Sequence, residues 1–161
     1  MPEQHEEAAA DEAVMTRIGQ TVMLHRGGDR EEARDRFALL WDELGPDGDP
    51  FQRCTLAHYM ADTQDDPVDE LDWDLRALAA AEGPTGHPPG RHHASPAVRG
   101  FYSSLQLSLA ADYVKLRRPE TARGHLLLAR GAAEALGEDT YADGVRAAIS
   151  RLELRLTATA E

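Results

Sequence analysis

This chain predicts an all-α fold built from antiparallel helical hairpins, and three observations carry that prediction. Apolar residues recur at three- and four-residue spacing along most of its length. Alanine and leucine dominate, and stretches of alternating Val, Ile and Thr are absent. Glycine, proline and capping aspartates punctuate the pattern at intervals that suit about seven helices.

Residues 1–9, MPEQHEEAA, read as a flexible lead. A single domain follows over 10–157, since a chain of 161 residues supplies one core. The first helix is expected over about 10–26, with Met15, Ile18 and Val22 on its stripe. Gly27 and Gly28 stop it, because glycine tolerates the left-handed turn after a helix. Asp29 is placed to cap the second helix, with Glu31 and Glu32 at its positive end. Ala33, Phe37, Leu40 and Trp41 form that helix's buried face, and GPDGDP at 45–50 is a turn. The third helix, about 50–63, carries Phe51, Cys54, Leu56, Ala57, Tyr59 and Met60. Asp66-Pro67 reads as an N-cap followed by proline at the first helical position. The fourth helix is expected to bury Leu71, Leu75 and Leu78.

Glycines and prolines at 82–96 break the pattern and predict an inserted loop, too long for an ordinary helix connection. A fifth helix over about 97–116 carries Tyr102, Leu105, Leu109, Ala110 and Tyr113. Pro119 opens a sixth with the small-residue stripe Ala122, Leu126, Ala129 and Ala133. A seventh, over about 139–157, has no hairpin partner and is expected to cover the end of the stack. Residues 158–161 read as a flexible end.

Composition narrows the function classes. One cysteine, Cys54, excludes an internal disulfide and a cysteine-based zinc knuckle. No apolar run reaches the roughly 18–20 residues of a membrane span, and no early segment combines a basic start with an apolar run, so no secretory signal is expected and a cytoplasmic location is. The net charge of −12 is uneven. Residues 1–74 carry 20 acidic against 6 basic side chains, and the remainder is slightly basic. Such a field disfavours nucleic acid and favours a basic peptide, a basic protein, or the basic half of a second copy.

Segments 14–49, 50–81 and 103–137 share a helix-turn-helix layout. In the third, Leu109, Ala110, Tyr113, Ala122, Leu126 and Ala129 fall at repeating offsets. In the first, Leu24, Gly28, Ala33 and Phe37 do. These hairpins resemble the tetratricopeptide repeat over roughly 14–137. The middle copy departs from the pattern, with Asp69 where a small residue is usual. The resemblance implies a right-handed superhelical stack whose first helices line a groove. It implies ligand contacts at His25 and Arg26 in unit one, Phe51, Cys54, His58 and Asp62 in unit two, and Lys115 in unit three. The basic pair that clamps a terminal carboxylate in some family members is not reproduced.

Cys54, His58 and Asp62 lie four residues apart on one helical face. That order suits a nucleophile, base and orienting carboxylate, or three metal ligands. The helical rise strings them over about 12 Å, so they cannot converge on one metal, and groove-lining or packing is expected instead. The acidic run Asp62, Asp65, Asp66, Asp69, Glu70, Asp72 and Asp74 lacks the spacing of a calcium loop and reads as a capped helix start, with Asp65 on a surface for a basic partner. His87, His92 and His93 share the inserted loop without a cysteine nearby. No catalytic set, cofactor or metal site emerges. A protein- or peptide-binding module is the expected function. The alternatives are a homo-oligomer joined through the basic turn at 115–123, or a small-molecule sensor or enzyme using Cys54 and His58.

Overall fold

The computed structural model describes residues 2–83 and 96–159, and regular structure among them is entirely helical. Seven helices follow in order: α1 (Pro2–Arg26), α2 (Arg30–Leu44), α3 (Pro50–Asp62), α4 (Pro67–Glu82), α5 (Pro96–Lys115), α6 (Pro119–Glu134) and α7 (Thr140–Thr159). Each packs on its neighbours in sequence. No helix among the described residues is long and apolar enough to cross a membrane. The inserted loop, with His87, His92 and His93, lies outside the described residues apart from its edges.

Local chemistry explains most boundaries. Asp49 caps α3 by accepting a hydrogen bond from the Gln52 N–H at 3.0 Å, with Pro50 just inside the helix. Asp66 does the same for α4 through the Val68 N–H at 2.8 Å, ahead of Pro67. Gly28 turns the chain after α1 with φ of 102°, a conformation that strains residues bearing a Cβ. Two expectations need correction. α1 begins at Pro2, well ahead of residue 10, because its alanines and glutamates favour helix strongly. Asp29 stands at the α2 N-cap, but its carboxylate makes no capping hydrogen bond.

Three apolar clusters run along the molecule. Ile18, Ala33, Phe37, Leu40, Leu56 and Met60 join α1, α2 and α3. Cys54, Ala57, Ala77, Ala81, Val98, Tyr102 and Leu105 join α3, α4 and α5. The small stripe Ala122, Leu126, Ala129 and Ala133 packs with Ala110 of α5 and with Val145, Ile149, Leu152 and Leu156 of α7. Alanine stripes let helix axes approach closely, so these apolar faces interlock without large side chains.

The first two helix pairs are also tied by charge. Arg30 and Arg34 of α2 both donate to the Thr63 carbonyl at the end of α3, and Arg30 also reaches the Gln64 carbonyl at 2.7 Å. The same guanidiniums pair with Asp65 at 2.9 and 3.3 Å. Cations are well placed there, because the last carbonyls of a helix lack intrahelical partners.

The buried face of α4 differs from the sequence expectation. Asp74, Ala77 and Ala81 point inward; Leu71 and Leu78 are half-buried, and Leu75 is exposed. The helix turns its small residues, rather than its leucines, toward α3 and α5. Close approach there leaves room for alanine and for the short side chain of Asp74.

Candidate functional site

That rotation of α4 builds the most unusual constellation in the molecule. Asp74 is 4% exposed and Asp112, on α5, is 3% exposed. Each carboxyl lies close enough to the other to act on its ionisation. Among the described residues, no protein group donates to Asp74 Oδ1 or Asp112 Oδ2. A buried carboxylate left without partners is costly, so the pair stabilises itself by retaining a proton.

The direction of each shift follows. Burial, foremost, pushes Asp112 up to about 10, and Asp74 beside it adds to the rise. The pair as a whole therefore favours holding a proton. Burial also pushes Asp74 up to about 7, opposed by Asp112. Two carboxyls in contact cannot both ionise cheaply.

Further polar and aromatic groups surround the pair. His58 of α3 places Nδ1 3.8 Å from Asp74 Oδ1 and 3.4 Å from Ser108 Oγ of α5. Its ring meets Phe101 edge-on, with centroids 5.1 Å apart, and Phe101 in turn meets Phe51 at 6.2 Å. Burial lowers the His58 pKa, against the pull of Asp62 and Asp112, which favours a neutral imidazole. Asp62 stands on the exposed side. Crowding by surrounding protein raises its carboxyl, an effect that His58 opposes and Glu70 reinforces. Lys115 Nζ bonds Glu70 Oε1 at 2.7 Å, with the lysine half exposed.

The structure thus brings together His58, Asp62 and Lys115 of the predicted set. His25, half-buried at the end of α1, is close enough to act electrostatically on Asp62. Phe51 joins the aromatic flank. Arg26 is exposed and outside this group. Asp65 faces Arg30 and Arg34, so its charge is already used in joining α2 to the end of α3.

Cys54 does not line an accessible surface. It is fully buried, and its thiol donates to the Phe51 carbonyl at 3.3 Å. Burial pushes it up to about 12, so it stays a thiol at neutral pH. A thiol-reactive dye is expected to label Cys54 only when the protein unfolds. Labelling in the native state at the rate of a free thiol would contradict this placement. No group of three His, Cys, Asp or Glu side chains among the described residues is placed to hold a metal ion.

Sequence reading missed Asp74 and Asp112. A signal for Asp112 existed: it is a lone carboxylate inside the apolar stripe of Leu105, Leu109, Ala110 and Tyr113. Asp74 was hidden as the last member of an acidic run. No family model matches the chain, and no match was found among curated proteins or among solved structures.

Proposed function

We propose that this chain is a non-catalytic protein- or peptide-binding module of the cytoplasm. In this reading its hairpins stack as a tetratricopeptide-like right-handed superhelix with α7 covering the end. The binding face is the one shared by α3 and α5, and the partner is basic. The observation that carries the reading is the convergence of Asp62, Glu70, Asp74 and Asp112 around neutral His58, with Lys115 as the nearby cation. Phe51 and Phe101 flank these groups and supply apolar contact area.

Self-association through the basic turn has less support. Lys115 and Arg123 are already paired within the chain, to Glu70 and Glu120.

Fluorescence anisotropy with labelled hexalysine and hexaglutamate tests the reading. Hexalysine is expected to bind at low salt and hexaglutamate to fail. Asp62→Lys is expected to weaken hexalysine at least about tenfold, or about 1.4 kcal/mol. Glu138→Lys, the same charge change at an exposed position, is expected to leave it nearly unchanged. Equal losses from both variants would reduce the effect to net charge and remove the proposed face.

A further inference from the structure

We propose that Asp74 and Asp112 form the receptor for one primary ammonium group. The inference rests on the reading of this face as a binding surface, and names what the surface takes.

The argument starts from unsatisfied acceptors. Two side chains more than nine-tenths buried each retain a carboxylate oxygen, Asp74 Oδ1 and Asp112 Oδ2, without a protein donor. Buried acceptors left this way are rare in folded proteins. Beside them lie two further polar atoms, Ser108 Oγ and His58 Nδ1, 3.4 Å from each other. An ammonium carries three N–H donors on one compact centre, which suits acceptors arriving from α3, α4 and α5. A guanidinium is planar and wider, and a metal ion needs a ligand trio that the described residues do not assemble.

Charge around the pair has the right sign. Asp62 from α3 and Glu70 from α4 are acidic, His25 from α1 and His58 from α3 are the nearby imidazoles, and Lys115 from α5 is the nearby cation. Lys115 is bonded to Glu70 and half exposed, so it is free to turn aside and acts as an internal competitor. Entry of an ammonium releases the protons the pair holds to solvent. Binding therefore tightens as pH rises, until the pair has already lost them or the amine has lost its own.

Calorimetry on the full chain tests this, using n-butylamine, a short lysine-containing peptide and its arginine counterpart. Titrations at pH 6 and pH 8, in buffers of different ionisation enthalpy, read proton release directly. The lysine peptide is expected to bind with release of about one proton at pH 8 and more than one at pH 6, severalfold or more tighter at pH 8, and ahead of the arginine peptide. Asp112→Asn and Asp74→Asn should each reduce the proton release and weaken binding at least about tenfold. Lys115→Met should strengthen it. Butylamine binding in the same way shows that the ammonium alone suffices; binding of the peptide alone shows that its backbone is also needed. Hexalysine binding without proton release, unchanged in Asp112→Asn, would overturn this inference and leave the binding module standing. Butylamine binding with proton release but no peptide binding would keep the ammonium receptor and remove the peptide partner. Failure of every amine to bind would overturn both.

Discussion

Asp112→Asn is expected to stabilise the protein by about 1–3 kcal/mol at pH 8 and hardly at all at pH 4. Asparagine has the shape of the neutral acid and keeps a donor toward Asp74. The sign follows from proton counting. Both carboxyls have an unperturbed value of 3.8, and burial raises both in the folded protein. Above about pH 4 the unfolded chain has released protons that the native pair still holds. Stability therefore falls as pH rises through the interval between the unfolded and folded values. The full contribution of the pair is present below the unfolded value. It is lost in two stages, up to about 7 for Asp74 and about 10 for Asp112. Asp112→Asn removes the second and larger stage. Urea denaturation of both proteins from pH 4 to pH 9 measures the difference. A gap that stays constant with pH would show that Asp112 is ionised in the native state, and would break the account of the site.

Phe37→Ala is expected to cost about 3–5 kcal/mol, a large share of the roughly 5–15 kcal/mol that a domain of this size possesses. Phe37 is fully buried among Ile18, Ala33, Leu40, Leu56 and Met60. It stacks on Tyr59 with ring centroids 6.3 Å apart. It thus fills the junction where α1 and α2 meet α3, and its removal leaves a cavity that three helices border. Leu39→Ala, on the same helix but exposed, is expected to change stability by no more than about 0.5 kcal/mol. Denaturation midpoints at constant slope compare the two. A cost for Phe37→Ala near that of Leu39→Ala would mean that the first pair of helices is not docked on α3.

Much of the scaffold was legible from side-chain period. Ala33, Phe37 and Leu40, and the stripe of Ala122, Leu126, Ala129 and Ala133, are buried where the spacing placed them. The cap at Asp66 and the prolines at 67 and 119 mark real helix starts. These features are local: a cap or stripe depends on residues within one or two turns.

The candidate site was legible only in part. His58, Asp62 and Lys115 were reached through a repeat resemblance, which gave positions without chemistry. Cys54 shares their face by helical spacing, yet it is buried, because α4 and α5 close over its turn of α3. For α4, hydrophobicity pointed to Leu71, Leu75 and Leu78. Close packing instead selected Asp74, Ala77 and Ala81.

The sequence by itself determined the helices, their order, the cap of α4 and most apolar faces, since each is set by neighbours along the chain. Only the tertiary structure decided that Asp74 and Asp112 meet. They belong to different helices, separated by the inserted loop, and nothing local distinguishes Asp74 from the acids before it. Burial and mutual contact turn two ordinary carboxyls into a proton-holding pair, and both arise from the approach of α4 to α5.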